Sequence, residues 1–213
     1  MRPVRAVAFD FNGTLSDDEP ILLSVYQEMF AEHERPLSAA EYFETLAGRS
    51  EEAIIASWLG ADGDVLAALV EERIDRYLAR SGAGETVSAP IRDAVAYAAA
   101  RVPVAIVSGA FRREIEPVLA GAQLEEYVSV LVAADDVERG KPDPAGYALA
   151  LELLGIAGSD AVAFEDTEAG VASAKAAGLR CIAVAGTHPP DRLHLADELV
   201  ATLDSAVLRR VLG

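Results

Sequence analysis

The residues best suited to chemistry in this chain are charged and hydroxyl side chains that follow short apolar runs. In chain order they are Asp10, Ser108 with Gly109, Lys141, and the pair Glu165-Asp166. A carboxylate can attack phosphorus, an acidic pair suits Mg²⁺, and a lysine can neutralise a bound anion. If these groups meet at one place, they predict the transfer of a phosphoryl group.

The apolar runs themselves predict the elements that would position these groups. Runs without strict alternation are typical of strands buried on both faces. They cover Ala6–Phe9, Val102–Val107, Val128–Ala133, Ala161–Phe164 and Leu179–Val184. Segments with helical periodicity lie between the later runs, at Arg112–Leu119, Ala145–Leu154 and Glu168–Ala176. Alternating strands and helices indicate an α/β fold with a parallel sheet, whose strand ends meet at one edge.

The stretch between the first two strands is much longer than a crossover requires. It has helical patterning and no convincing strand, with candidate helices at Glu19–Ala31, Ala39–Leu46, Glu51–Leu59 and Asp64–Arg80. A crossover needs a single helix, so four indicate an inserted subdomain. We therefore expect a core formed by residues 1–14 and 88–213, and a four-helix cap formed by residues 15–87.

Three carboxylates could serve the covalent step and the metal. Asp10 can form an aspartyl-phosphate, which divides hydrolysis into two easier steps. Magnesium prefers oxygen ligands, often one or two carboxylates together with phosphate and water. Asp10 and Asp166 supply such a pair, with Glu165 as a further ligand or a neighbour of the ligands. The expected cofactor is Mg²⁺.

The groups expected to hold the phosphate are a loop and a lysine. Ser108 and the amides of Gly109 and Ala110 come just before a predicted helix, and a helix N-terminus favours anions. The formal net charge of the chain is −17, which works against any phosphorylated ligand. Lys141, one of two lysines in the chain, would supply the local positive charge that such a ligand requires.

Composition limits the partners. The 213 residues are 52% hydrophobic, enough to bury a substantial core. The strong negative charge disfavours nucleic acid and anionic membrane surfaces. The single cysteine, Cys181, rules out an intramolecular disulfide and agrees with a reducing compartment. The apolar run before Asp10 is too short for a signal peptide or a membrane span. We expect a cytoplasmic monomer that acts on a small phosphorylated metabolite.

Taken in order, these segments resemble the four motifs of the haloacid dehalogenase-like hydrolase superfamily, in its branch of phosphatases and β-phosphoglucomutase-like proteins. They are Asp10-Phe11-Asn12-Gly13-Thr14-Leu15, Ser108-Gly109, Gly140-Lys141-Pro142-Asp143-Pro144 and Glu165-Asp166-Thr167. The resemblance implies a Rossmann-like core with the first strand central, a mobile helical cap, and Mg²⁺. It also implies that Asp10 is the nucleophile, that Asp166 and the backbone carbonyl of Asn12 bind metal, and that Ser108 and Lys141 hold phosphate.

Asn12 departs from the family pattern, because most phosphatases of the family have a second aspartate there. That aspartate protonates the leaving oxygen and then activates water, and an amide can do neither. General acid–base help is worth about 10²–10⁴-fold. Asp17 or Asp18 could supply the missing carboxylate, or the enzyme could be slow or limited to activated esters. Alternatively, the protein binds a phosphorylated ligand without turnover, or carries an engineered substitution.

Further residues bear on the substrate. Asp18, Arg49 in the cap, and Arg112 at the start of the helix after Ser108 are candidate substrate contacts. A sugar-phosphate mutase is a less favoured alternative, since Leu22 aligns with the cap-proximal histidine of β-phosphoglucomutase. We therefore predict a Mg²⁺-dependent phosphohydrolase that acts through an aspartyl-phosphate and is slowed by Asn12.

Overall fold

A six-stranded parallel sheet forms the centre of the computed structural model, which describes residues 3–82 and 84–213. The strands are β1 (Ala6–Phe9), β2 (Val104–Val107), β3 (Val130–Val132), β4 (Ala161–Glu165), β5 (Arg180–Val184) and β6 (Glu198–Val200). Their order is β3-β2-β1-β4-β5-β6, so that β1 is central, as the resemblance implied. The α/β prediction and all five predicted strands are confirmed, whereas β6 was missed. It is a three-residue edge strand with little burial, and so it lacks an apolar run.

Helices cover both faces of the sheet. They are α5 (Ala89–Ala99), α6 (Arg112–Gly121), α7 (Ala145–Leu154), α8 (Glu168–Ala176) and α9 (Ser205–Leu212). On one face, large side chains such as Val7 and Phe9 pack against α5, α6 and α9. On the other, small ones such as Ala6 and Ala8 allow α7 and α8 to approach closely, and Cys181 is buried there. This two-sided burial explains why the strands are apolar throughout.

The stretch between β1 and α5 is helical and has its own apolar cluster. It contains α1 (Glu19–Glu32), α2 (Ala39–Glu41), a π-helical segment (Tyr42–Leu46), α3 (Glu51–Leu59) and α4 (Gly63–Ser81). The prediction of one helix over Ala39–Leu46 is corrected, because the segment widens to π geometry at Tyr42. Its buried cluster is distinct from the two that flank the sheet. Within the described ranges, no single helix is long and apolar enough to cross a membrane, although the bent pair α3–α4 passes that test by length and composition.

Candidate active site

A lysine bridges two carboxylates at the carboxyl edge of the sheet. The Lys141 Nζ donates a short hydrogen bond to Asp10 Oδ1, just after β1, and lies 2.6 Å from Glu165 Oε1 at the end of β4. A third bond, 3.0 Å long, reaches the carbonyl oxygen of Val107. The side chain of Lys141 is only 10% exposed. The sequence-predicted carboxylates and cation therefore meet, and we call Lys141, Asp10 and Glu165 the lysine cluster.

A third carboxylate, Asp166, completes a possible metal site. Ligand oxygens of Asp10, Glu165 and Asp166 all lie within 4.8 Å of one another, and all three residues are buried. The Thr14 hydroxyl donates to Asp166 Oδ1 at 3.1 Å. Gly13 is required beside it, because its φ is +76° and a Cβ there would lie 2.1 Å from Asp166 Oδ2. Three hard oxygen donors with one lysine between them fit Mg²⁺, which prefers carboxylate ligands.

The electrostatics of the cluster favour a further positive charge. Burial opposes the charged form of Lys141, but Asp10 and Glu165 outweigh burial and raise its pKa above the usual value. Burial raises the pKa of Glu165 to about 7 despite Lys141, and the charge of Asp10 adds to the rise. Burial also raises the pKa of Asp166 well above its usual range, with Asp10 and Glu165 contributing. One ammonium does not neutralise three buried carboxylates, which is the condition that a divalent cation relieves.

Two side chains that orient the acidic groups had not been identified from the sequence. Tyr147, on α7, donates its hydroxyl to Glu165 Oε1 at 2.6 Å and lies 5.6 Å from the Lys141 Nζ, measured to the ring centroid. Thr14 holds Asp166 as described above. Both partners are buried. Tyr147 occurs in the apolar pattern of a helix, which predicts core packing and carries no sign of this hydrogen bond.

The loop after β2 faces the same cavity. Asp10, Ser108, Gly109, Ala110 and Lys141 all line it. The amide of Ala110 donates to Ser108 Oγ at 3.1 Å, which fixes the turn that leads into α6. The residues predicted to hold phosphate are therefore close to the predicted nucleophile.

Asn12 is held in one orientation by Asp18. Its Nδ2 donates to Asp18 Oδ2 at 2.9 Å, and its Oδ1 lies 3.5 Å from the hydroxyl oxygen of Ser108. Tyr77, on α4, donates its hydroxyl to the same Asp18 oxygen at 2.6 Å. Asp18 is fully buried and does not line the described cavity, while Asp17 is exposed. Burial raises the pKa of Asp18 to about 6. Asp18 thus contacts Asn12 and not the space available to a substrate.

The two candidate arginines differ in position. Arg49 is exposed and lines the cavity, which agrees with its predicted role. Arg112 does not line it: its guanidinium lies 2.6 Å from Asp136 Oδ2, and its amide donates to Asp135 Oδ2 at 2.7 Å. Those carboxylates occupy Arg112, so its expected contact with a second anionic group has no support in this geometry.

The cavity has a volume of about 350 Å³, and we call the part of it that the helical stretch lines its far end. That end is lined by groups from the helical stretch, namely Glu19, Tyr26, Tyr42, Glu51 and Arg73. Arg73 lies 3.2 Å from Glu51 Oε1 and makes a very short contact with Glu114 of α6. We call Arg73, Glu51 and Glu114 the arginine cluster. It joins the helical stretch to the core, because Glu114 follows β2 in the chain.

None of the arginine cluster was predicted from the sequence, yet one signal was present. Val70, Ile74 and Tyr77 recur at helical spacing on either side of Arg73 in the sequence, and all three are buried. A charged residue on the apolar face of a helix indicates a buried partner. Glu51, by contrast, occurs in the first turn of α3, where acidic residues are common for reasons of the helix dipole alone.

The helical stretch also touches the carboxyl edge of the sheet at a glycine. Gly48 has a φ of +82°, and a Cβ there would lie 2.9 Å from the Cβ of Thr167. Nearby, Arg192 donates to the carbonyl oxygens of Phe43 and Glu44 at 3.3 and 3.4 Å. These contacts, together with the arginine cluster, join the helical stretch to the core.

Relatives of this chain are named as phosphatases, which agrees with a cavity suited to phosphate. The chain is 32% identical over 203 residues to validoxylamine A 7'-phosphate phosphatase of Streptomyces hygroscopicus subsp. limoneus, covering 93% of this chain and 94% of the relative. It is 28% identical to a phosphoglycolate phosphatase of Yersinia pestis, with 94% of each chain covered.

Solved structures show the same fold. A variant of CbbY from Rhodobacter sphaeroides, in complex with xylulose-(1,5)bisphosphate, superposes with a TM-score of 0.84 at 29% identity. The match covers 94% of this chain and 95% of that protein. The family model for haloacid dehalogenase-like hydrolases matches residues 4–178. The chain therefore belongs to the haloacid dehalogenase-like hydrolase family.

Proposed function

We propose that this protein is a Mg²⁺-dependent hydrolase of a small phosphomonoester, with Asp10 as the nucleophile. The observation that carries the proposal is the convergence of the lysine cluster, Asp166 and the Ser108 loop on one cavity. The family and the phosphatase relatives support hydrolysis of a phosphate ester. Those relatives are named for small phosphorylated metabolites, which supports a substrate of similar size.

In the first step, an Asp10 carboxylate oxygen attacks phosphorus while the bond from phosphorus to the ester oxygen breaks. Lys141, which donates a hydrogen bond to Asp10, offsets negative charge on the phosphoryl oxygens. Ser108 and the amide of Gly109 donate hydrogen bonds to those oxygens. Asp10, Glu165, Asp166 and the backbone carbonyl of Asn12 would hold Mg²⁺, which would supply further charge neutralisation.

In the second step, water attacks phosphorus and the aspartyl bond breaks, which restores Asp10 and releases phosphate. Asn12 Oδ1 can accept a hydrogen bond from that water and orient it, but it cannot take the proton. Asn12 also cannot protonate the leaving alkoxide in the first step. Since Asp18 lies behind Asn12, it acts here as a positioning residue. The presence of asparagine instead of aspartate at position 12 should therefore slow hydrolysis least for esters with good leaving groups.

We also propose that residues 15–87 form a cap that closes over the catalytic edge. Its separate apolar cluster supports this division, as do the contacts of Gly48 with Thr167 and of Arg192 with two cap carbonyls. Closure would exclude water from the reacting groups and bring the polar far end of the cavity against the substrate.

Phosphate release from p-nitrophenyl phosphate and from a panel of metabolites, with Mg²⁺, tests the function. We expect slow turnover by the wild type and no turnover by Asp10→Ala. Asn12→Asp should raise kcat for alkyl phosphates by about 10²–10⁴-fold, and by less for p-nitrophenyl phosphate. Equal rates for Asp10→Ala and the wild type would refute the role of Asp10.

A second candidate function, binding of a phosphorylated ligand without turnover, is favoured by one observation. The side-chain amide of Asn12 donates a hydrogen bond to Asp18, so the asparagine is an integral part of the site. This function predicts that the wild type binds phosphate esters with Mg²⁺ but releases no phosphate, while Asn12→Asp does. Turnover by the wild type that is lost in Asp10→Ala would exclude it.

A further inference from the structure

Three buried polar atoms at the far end of the cavity have hydrogen-bonding capacity that the described residues leave unused. Tyr26 Oη, Glu51 Oε2 and Arg73 Nε have no hydrogen bond of normal geometry to any described residue. The residues are 1%, 7% and 1% exposed, and all three line the cavity. Arg73 is near enough to Tyr26 to lower the pKa of its hydroxyl, although burial raises that pKa overall. Buried polar groups are nearly always paired, so these atoms indicate a ligand.

The three atoms include both hydrogen-bond donors and hydrogen-bond acceptors. The Tyr26 hydroxyl can donate and accept, the Glu51 oxygen accepts, and the Arg73 Nε donates. Tyr42 and Glu19 lie beside them, already joined by a bond of 3.0 Å from the tyrosine hydroxyl. A ligand that satisfies this set must carry several groups that both donate and accept. Hydroxyl groups on neighbouring carbons have that property.

The charge of this end argues against a second anionic group on the ligand. Arg73 is engaged by both Glu51 and Glu114, and Glu19 adds another carboxyl. Carboxylates thus outnumber the buried cation. Arg49 also lines the cavity but is exposed, where solvent screens its charge. A carboxylate or second phosphate at this end would therefore meet no cation that is free of carboxyl partners and shielded from solvent.

We propose, resting on the phosphomonoesterase function above, that Tyr26, Glu51 and Arg73 form a subsite for a polyhydroxylated carbon skeleton. The substrate is then a sugar or polyol monophosphate, with its phosphate at Ser108 and Lys141 and its hydroxyl groups at this subsite. The cavity volume of about 350 Å³ is within the range of small-ligand sites.

Calorimetric binding with Mg²⁺ tests the subsite through three probes: sorbitol 6-phosphate, butyl phosphate and 2-phosphoglycolate. We expect sorbitol 6-phosphate to bind at least ten-fold more tightly than butyl phosphate, because hydrogen bonds to charged groups are worth about ten-fold or more in affinity. Tyr26→Phe and Glu51→Gln should reduce that preference by roughly ten-fold, with a larger loss for sorbitol 6-phosphate than for butyl phosphate. Glu126→Gln, an exposed carboxyl-to-amide exchange outside the cavity, is the matched control.

The outcomes separate the two proposals, because binding does not require turnover. Equal affinity for sorbitol 6-phosphate and butyl phosphate would overturn the subsite while leaving the phosphatase function intact, as would tightest binding of 2-phosphoglycolate. If neither variant lowers the preference for sorbitol 6-phosphate, the subsite is also wrong. Failure of every phosphorylated probe to bind would overturn both proposals. Tyr26→Phe keeps the ring and its packing, so it tests the hydroxyl even if Glu51→Gln does not fold.

Discussion

The lysine cluster and the arginine cluster each place one buried cation between two carboxylates, but they are built differently. The residues of the lysine cluster lie at strand ends and in a loop, at the carboxyl edge of the sheet. The arginine cluster joins three helices, with one residue each on α3, α4 and α6. Lysine is a compact point charge, whereas the arginine fork can bond two partners in fixed directions. On the functions proposed above, the first cluster serves the reaction, and the second serves shape and recognition.

The largest expected difference between the clusters is in activity. Lys141→Met should lower kcat/KM for p-nitrophenyl phosphate on the order of 10³-fold, because a charge aimed at the reacting phosphoryl group is lost. Lys175→Met, which removes the other lysine and its pair with Asp197, should leave this value within about two-fold. Steady-state phosphate release measures both. Similar losses of kcat/KM in the two variants would contradict a specific role for Lys141 in the reaction.

The arginine cluster should matter most for stability. Arg73→Met leaves two buried carboxylates without their cation, which should cost about 3 kcal/mol of unfolding free energy at pH 8. Arg76→Met, on the same helix but in surface pairs with Glu32 and Glu72, should cost less than about 1 kcal/mol. Urea denaturation measures both.

The loss in Arg73→Met should also depend on pH. Burial raises the pKa of Glu51 to about 7 even beside Arg73, and removal of the cation raises it further. Below pH 7 this carboxyl is then protonated and neutral, so the deficit should be smaller at pH 6 than at pH 8.5. A deficit that is constant with pH would show that packing, and not charge, explains the effect.

Mg²⁺ should stabilise the catalytic edge specifically. At about 100 times its Kd, a ligand of the folded state adds about 2.7 kcal/mol to the free energy of unfolding. We expect this gain in the wild type and its loss in Asp166→Asn, while Glu126→Gln keeps it. Denaturation with Mg²⁺ and with a chelator gives the difference, and an equal gain in Asp166→Asn would contradict this metal site.

The smallest effect concerns Asp18, which lies between the two regions. Its pKa rises from 3.8 to about 6 on folding, so the folded state binds the proton more tightly and stability falls as pH rises between those values. Asp18→Asn removes this loss. Relative to the wild type, the variant should gain about 1 kcal/mol between pH 5 and pH 7.5. Asp17→Asn, at the exposed neighbour, should show no such trend.

These contrasts also explain how much could be predicted from the sequence. The convergence of Asp10 and Asp166 could be predicted because parallel strands bring their ends together at one edge of the sheet, without knowledge of any side chain. Lys141 lies in the loop after β3 and was expected near them from the same topology. The arginine cluster depends on how helices pack, and sequence spacing does not determine which face of α4 meets α6. The engagement of Arg112 by protein carboxylates could not be predicted for a similar reason, since its partners come from the loop after β3.

The contact between Gly48 and Thr167 has a consequence for the length of the substrate. Both residues line the cavity, and the backbone of one meets the side chain of the other with no room for a methyl group. The wall of the cavity at this point is therefore set by a position that has no side chain. Any larger residue at 48 would have to displace Thr167, and we expect that shift to change the length of phosphate ester that the cavity accepts.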